Sequence, residues 1–300
     1  MALLGLLELL AHGERLQLCV GHVDHGLRPA SAEEAAMVRD VARARGFPVR
    51  ITTLDLRPGA GLPARARDAR RAALLDQAAD LGARVIALGH TATDQAETML
   101  LHLVRGAGLD GLAAMPAWEL GPPALPPGRA KIRPVLGLTR DETRALVERL
   151  ELPFVDDPTN LDPTAPRIAM RERVLPILRA LNPAAEQALS ATASRAREAE
   201  EALQAWVQHE LRCRRIADTE RWSFDGVPEL PTAVRRGLVR AVCQRAGVPA
   251  DALGRRVMEA IDAAVCHPGA PHGWDLHGGR RLRLHDGIVW LELSGRSEGA

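Results

Sequence analysis

Short apolar runs alternate with long stretches rich in Ala, Arg and Leu through the first half of this 300-residue chain. The apolar runs predict strands at Leu16–Gly21, Val49–Thr53 and Arg84–Leu88, and a weaker one at Lys131–Val135. Alternation with this spacing is typical of right-handed strand–helix–strand units, which build a parallel sheet with helices on both faces. The expected fold class is therefore α/β.

The stretches between the strands have the periodicity of amphipathic helices. They predict helices at Ala2–Ala11, Ser31–Arg45, Pro63–Leu81, Thr93–Val104 and Thr139–Leu150. Three glycines stand where helix C-caps are expected, since glycine readily takes the left-handed conformation that ends a helix. They are Gly46, Gly82 and Gly106.

The second half has a different organisation. Leu120–Arg129 contains four prolines and predicts a surface loop. Helices are then predicted at Arg167–Leu181, Ala184–Glu210, Pro231–Ala246 and Asp251–Val265, followed by a small β-meander at Gly273–His277, Arg280–His285 and Ile288–Leu293. We expect three parts: a parallel α/β domain over 1–182, a linker helix over 183–221 and a small α+β domain over 222–300.

Composition limits the class of protein. Hydrophobic residues make up 46% of the chain and charged residues 26%, which suits a globular protein with a full core. No apolar run reaches the ~18 residues of a membrane span, and the opening segment lacks the features of a signal peptide, so we expect a cytoplasmic protein without membrane contact. The four cysteines are scattered and predict neither a zinc site nor a disulfide framework.

Nearly every basic residue is arginine, although the net charge is only +1. Such residues can bind phosphates, or they can simply cover solvated faces; both interpretations stay open. Late in the chain they form clusters at Arg212, Arg214 and Arg215; Arg235, Arg236 and Arg240; Arg255 and Arg256; and Arg280, Arg281 and Arg283.

The segment Gly89-His90-Thr91-Ala92-Thr93-Asp94-Gln95-Ala96-Glu97-Thr98 directly follows a predicted strand. It places polar side chains at the carboxyl end of that strand, where parallel sheets bind ligands. Asp94 and Glu97 are three residues apart and share one helix face. Two interpretations stay open. One is a site for a metal-bound polyphosphate, and the other is a capping box with Thr91 or Thr93 as N-cap.

A second polar segment, His22-Val23-Asp24-His25-Gly26-Leu27-Arg28, follows the first predicted strand. Imidazole can stack on or hydrogen-bond a base, and Arg28 can bind a phosphate. The alternative is a local turn in which Asp24 accepts from nearby amides. Because two polar segments at one sheet edge are expected, a shared cleft is the preferred interpretation.

Further motifs follow downstream: Arg105-Gly106-Ala107-Gly108, Ile132-Arg133-Pro134, and Asp156-Asp157-Pro158-Thr159-Asn160 followed by Asp162 and Arg167. In this order, the motifs resemble those of the tRNA(Ile)-lysidine synthetase family, within the N-type ATP pyrophosphatase (PP-loop) group. The resemblance extends from Met1 to about Ala185. It implies the adenine nucleotide alpha hydrolase-like fold.

The resemblance also implies an ATP-dependent ligase. ATP would activate C2 of the wobble cytidine of tRNA(Ile) with a CAU anticodon as an adenylate, and the amine of L-lysine would then displace AMP. A homodimer is one expectation for the assembly. The implied site residues are Asp94, Glu97 and Arg105 for catalysis, with Mg²⁺ on Asp94 and Glu97; His22, Asp24, His25, His90 and Thr93 for ATP; and Arg28, Arg67, Arg133, Arg167 and Arg171 for substrate.

The chain departs from the family pattern in several places. The family has G-H-x-x-D-D-Q-x-E-T, whereas Thr93 stands at the first aspartate here. Ile168 replaces an asparagine, and the pattern around Arg67 and Arg70 matches only in part. The phosphate-binding S-G-G-x-D-S loop and the central strand before it are not in the sequence. We therefore expect Met1 to be internal to a longer natural protein.

Two other functions stay open at this point. The first is a catalytically inactive tRNA-binding remnant of the same fold, which would bind tRNA through the late arginines without ATP-dependent chemistry. The second is another adenylating ligase of the PP-loop group. Assays of pyrophosphate release with tRNA(Ile) and lysine, against other acceptors, distinguish these functions.

Overall fold

The computed structural model describes residues 1–14, 16–26, 30–57, 59–120, 130–155, 166–249, 252–267 and 271–293. Two compact units make up the chain, Met1–Arg197 and Glu198–Ala300. The division between the units lies inside one long helix, Ala185–Cys213. The predicted three-part domain organisation stays a prediction.

The first unit alternates helices and strands as predicted. Its helices are α1 (Ala2–Gly13), α2 (Ser31–Ala44), α3 (Leu62–Asp80), α4 (Ala92–Val104), α5 (Leu109–Leu112), α6 (Arg140–Arg149), α7 (Pro166–Ala169), α8 (Leu175–Leu181) and the start of α9 (Ala185–Cys213). A π-helical segment, Met170–Val174, joins α7 to α8. The strands are β1 (Val20–Asp24), β2 (Val49–Thr53), β3 (Val85–Ala87), β4 (Trp118–Leu120) and β5 (Ala130–Ile132).

The parallel sheet consists of two separate pieces in the described part of the chain. β1 pairs with β2 in parallel, with Val20 opposite Val49. β3 pairs with β5 in parallel, and β4 adds to β5 in antiparallel orientation, so the second piece has the order β3-β5-β4. The expected α/β class with parallel pairing is confirmed.

Two predicted strands have the wrong bounds. β1 begins at Val20 rather than Leu16, so His22 and Asp24 lie on the strand and not in the loop after it. Its pairing with Val49–Thr53 sets this register, and Leu16 remains exposed. β5 ends at Ile132 because Arg133 precedes Pro134, and proline provides no amide for the ladder. β4 was not predicted, and the rest of the predicted Leu120–Arg129 loop lies outside the described residues.

Helix ends in the first unit follow the local sequence. Thr91 caps α4 and Thr139 caps α6, each in a capping box with the residue three positions on, Asp94 and Glu142. The three glycines predicted as C-caps all have positive φ: +74° at Gly46, +66° at Gly82 and +75° at Gly106. The predicted C-caps are confirmed.

The second unit, which follows from Glu198, contains the rest of α9, then α10 (Thr232–Arg245) and α11 (Arg255–Cys266). Its antiparallel sheet has the order β6-β9-β8-β7, formed by β6 (Arg221–Ser223), β7 (His272–Leu276), β8 (Arg280–His285) and β9 (Ile288–Leu293). Buried apolar residues from the helices and the sheet form one core, including Leu238, Ile261 and Leu282. The predicted small α+β domain is confirmed, with β6 as an additional strand.

No helix among the described residues is long and apolar enough to span a membrane.

Candidate active site

The first turn of α4 places Asp94 at the carboxyl end of β3. Asp94 Oδ2 accepts hydrogen bonds from the Thr91 amide at 2.8 Å and from the Thr91 hydroxyl at 2.9 Å. The Asp94 amide donates back to Thr91 Oγ1 at 3.3 Å. The capping-box interpretation is therefore confirmed for Thr91 and Asp94. One carboxylate oxygen of Asp94, Oδ2, is used to cap the N-terminus of α4.

Glu97 is fully buried, one turn further along α4. Its Oε2 accepts from Arg167 Nε and its Oε1 from Arg171 Nε, each at 2.6 Å. Arg167 also donates to Asp94 Oδ1 at 3.3 Å. The two acidic side chains thus share one face, as predicted, and the structure brings the predicted substrate residues Arg167 and Arg171 onto that face. The result is a cluster of two carboxylates and two guanidinium groups.

The contacts of this cluster limit how Mg²⁺ would bind. Both oxygens of Glu97 accept short, charge-assisted hydrogen bonds, so an ion at Glu97 would have to displace an arginine. Asp94 Oδ2 belongs to the capping box. The two carboxylates as arranged do not fit a shared Mg²⁺ ion, and their predicted metal role stays a prediction.

His90 lies next to the cluster and is held by Arg133. Arg133 is buried; its Nε donates to His90 Nδ1 at 3.3 Å, and its other nitrogens donate to Pro116 O and to Glu119. Burial lowers the pKa of His90, and Arg133, Arg167 and Arg70 lower it further, against the opposing effect of Asp94. The ring is therefore neutral at pH 7, with its proton on Nε2, for which the described residues provide no hydrogen-bond partner.

We expect ¹⁵N NMR at pH 7 to find His90 protonated at Nε2 and not at Nδ1, because an arginine can only donate to Nδ1. His12 provides a matched control: its Nδ1 lies 2.8 Å from the carbonyl oxygen of Glu8, which can only accept, so His12 should carry the proton on Nδ1. The same proton position in both rings would contradict the assignment for His90.

Arg70 on α3 adds positive charge beside the cluster. Burial lowers its pKa, and the neighbouring Arg67 and Arg167 lower it further. Within the described ranges Arg70 has no ion-pair partner. Arg167 and Arg171 balance the negative charges of the two carboxylates on α4. Arg70 therefore adds a positive charge that no described carboxylate neutralises. A surplus cation at this position favours an anionic ligand such as a phosphate.

Other predicted site residues make contacts outside this cluster. Asp24 accepts from the Gly26 amide at 2.8 Å, in the local turn that was the alternative interpretation. Burial lowers the pKa of His22, which interacts electrostatically with Asp24 and His25. Arg105 is the C-cap of α4, eleven residues and about 16 Å along the helix from Asp94. The structure does not bring Arg105 into the cluster, and its catalytic role stays a prediction.

Two predicted regions are not among the described residues. Arg28 lies outside the described residues, as do the acidic turn from Asp156 to Asn160 and Asp162.

Thr93 has a contact that sequence reasoning missed. Its buried hydroxyl donates to Glu186 Oε1 at 2.5 Å. Glu119, which bridges Lys131 and Arg133, was missed as well. Neither glutamate belongs to a motif, and both lie far along the chain from their partners, so no local signal identified them. The predicted role of Thr93 in ATP binding stays a prediction.

Many of the late arginines are engaged within the second unit. Arg235 and Arg236 both pair with the buried carboxylate of Asp262. Further pairs are Arg214 with Glu210, Arg215 with Glu220, Arg255 with Glu259, and Arg283 with Glu292. These contacts favour a structural role for several cluster members, and tRNA binding by the others stays a prediction.

Comparison with known proteins identifies the class. A family model described as a PP-loop domain matches residues 1–178. A tRNA(Ile)-lysidine synthase of Salinispora tropica is 42% identical over 280 residues, which cover 91% of this chain and 79% of the relative. That of Thermobifida fusca is 37% identical over 271 residues, with 89% and 80% covered. That of Streptomyces coelicolor is 38% identical over 276 residues, with 91% and 74% covered.

A solved structure agrees on the fold alone. The U34-tRNA thiolase NcsA from Methanococcus maripaludis matches with a TM-score of 0.50 and 17% identity, over 60% of this chain and 61% of that one. The family model over residues 1–178, together with the fold, therefore places the chain in the PP-loop class. Within that class, the chain belongs to the tRNA(Ile)-lysidine synthase family.

Proposed function

We propose that this chain belongs to an ATP-dependent ligase that joins L-lysine to C2 of the wobble cytidine of tRNA(Ile), whose activity requires the S-G-G-x-D-S loop of the family pattern. ATP activates C2 as an adenylate and releases pyrophosphate; the lysine amine then attacks C2, AMP leaves, and the amine loses a proton. The observation that carries the proposal is the cluster of Asp94, Glu97, Arg167 and Arg171 at the carboxyl end of β3 in a member of this family.

The described residues support particular roles in this reaction. Arg70 provides positive charge for a phosphate of ATP or tRNA, because it has no ion-pair partner among them. His90 presents Nε2–H as a hydrogen-bond donor. Such preorganised donors stabilise the charge that develops when pyrophosphate and then AMP leave.

We propose Mg²⁺ only as an ion bound to the phosphates of ATP. Of the two predicted ligands, Asp94 is the one with a weakly held oxygen: Oδ1 lies 3.3 Å from Arg167, whereas both oxygens of Glu97 lie 2.6 Å from an arginine. Binding of tRNA by late arginines, a homodimer and a cytoplasmic location remain predictions.

In a chain with the S-G-G-x-D-S loop restored, Asp94→Asn is expected to reduce lysine incorporation into tRNA(Ile) by roughly a hundredfold, because it weakens the contact to Arg167 and removes the carboxylate oxygen that is left for the Mg²⁺ of ATP. The measurement is ATP-dependent transfer of labelled lysine to a tRNA(Ile) transcript, with pyrophosphate release followed in parallel. Glu142→Gln is the matched control: Glu142 makes the same capping box on α6, with bonds from the Thr139 amide and hydroxyl at 2.7 and 2.8 Å.

The outcomes distinguish the candidate functions. Full activity of Asp94→Asn would exclude a catalytic role for Asp94. Salt-sensitive tRNA binding by the unmodified chain without pyrophosphate release would favour the inactive remnant. Pyrophosphate release with an acceptor other than lysine would favour a different adenylating ligase.

A further inference from the structure

Glu186 is a buried carboxylate in the first turn of α9, and it lies outside the sequence motifs. Only 3% of the residue is exposed. Arg179 donates to both of its oxygens, Nε to Oε2 and a terminal nitrogen to Oε1, each at 2.9 Å. Burial raises the pKa of Glu186, but the hydrogen bonds from Arg179 and Thr93 outweigh it and lower the pKa. Glu186 is therefore ionised and held in one orientation by a bidentate pair.

Thr93 connects this carboxylate to the active-site helix. The Thr93 hydroxyl donates to Glu186 Oε1 at 2.5 Å and accepts from the backbone amide of Arg140 at 3.0 Å. Because Thr93 is in α4, Arg140 in α6 and Glu186 in α9, one hydroxyl joins three helices. We call Thr93, Glu186 and Arg179 the α4 clamp.

The α4 clamp acts at the residue next to Asp94. The capping box fixes Asp94 only to its own helix, through Thr91. The clamp instead fixes the first turn of α4 to neighbouring helices, and together with the contacts from Arg167 and Arg171 it holds Asp94 and Glu97 in place. Reacting groups that are misplaced by about 1 Å can lose as much as two orders of magnitude in rate.

We propose that Glu186, oriented by Arg179, is a positioning residue of this enzyme that holds the first turn of α4 in place through the Thr93 hydroxyl. This inference rests on the proposed function. Thr93 stands where the family pattern has an aspartate, and its hydroxyl donates to Glu186.

The test compares four variants of the full chain. Thr93→Val keeps the shape but removes the hydroxyl, Thr93→Ser keeps the hydroxyl, and Glu186→Gln removes the charge. Thr219→Val is the control, because the Thr219 hydroxyl also donates and accepts, to Ile216 O and from the Arg221 amide, but lies in the second unit. The readouts are kcat and KM for lysine incorporation, and hydrogen exchange of the amides of residues 91–98.

We expect Thr93→Val and Glu186→Gln to lower kcat about tenfold with the KM for lysine within about twofold. Exchange over residues 91–98 should become faster in both variants. Thr219→Val should match the unmodified chain in both readouts, and Thr93→Ser, which keeps the hydroxyl, should keep the slow exchange over residues 91–98. An unchanged exchange rate in Thr93→Val overturns the proposal whatever the activity is. Absence of lysine incorporation in a chain with the S-G-G-x-D-S loop restored overturns the proposed function instead, and the exchange result still decides whether the clamp exists.

Discussion

Glu97→Gln is expected to lower the free energy of unfolding by about 3 kcal/mol and to abolish lysine incorporation. The substitution leaves Arg167 and Arg171 facing a neutral amide at a fully buried position. Breaking a buried ion pair by removing one partner typically costs about 3–5 kcal/mol. The lower end applies because 35% of the Arg167 side chain is exposed to solvent. Without the carboxylate, both arginines also lose the contact that orients them.

Urea denaturation and the lysine-incorporation assay measure the two effects separately. Asp262→Asn is the matched control, since Asp262 is also a buried carboxylate paired with two arginines, but in the second unit. We expect a comparable loss of stability in Asp262→Asn, while lysine incorporation by the folded protein is retained. Equal activity losses in both variants would mean that Glu97 contributes only to stability.

Thr93→Asp, which introduces the aspartate of the family pattern, is expected to destabilise this chain rather than improve it. The new carboxylate would stand against Glu186, whose Oε1 lies 2.5 Å from the present hydroxyl. Two buried carboxylates at this distance cannot both stay ionised, so one must take up a proton or move away. We expect a loss of about 2 kcal/mol in unfolding free energy and at least a tenfold lower kcat.

The double variant Thr93→Asp with Glu186→Gln tests the reason for this loss. The amide of the glutamine can donate to the new carboxylate, so the pair becomes compatible again and part of the stability and of kcat should return. A double-mutant cycle would give a coupling free energy of about 1 kcal/mol or more. If Thr93→Asp alone is as stable and active as the unmodified chain, Glu186 does not determine which side chain is tolerated at position 93.

Local sequence predicted most helices and the late β-meander, because both depend on short-range periodicity and turn residues. β8 and β9 have the predicted bounds, Arg280–His285 and Ile288–Leu293. β4 and β6 were missed because neither lies in an apolar run; each forms where a partner strand, β5 or β9, is available. β1 lies three to four residues later in the chain than predicted. Its bounds are set by pairing with β2, and the local sequence contains no information on that pairing.

The sequence alone determined that Asp94 and Glu97 share one face of a helix at the end of a strand, because helix geometry relates residues three apart. Only the tertiary structure decided their partners. Arg167 and Arg171 lie at least 70 residues away along the chain, and Glu186 is 93 residues from Thr93. Ion pairs of such separation depend on how the helices pack. Packing also buries Glu97 completely, so its carboxylate needs the hydrogen bonds of both arginines.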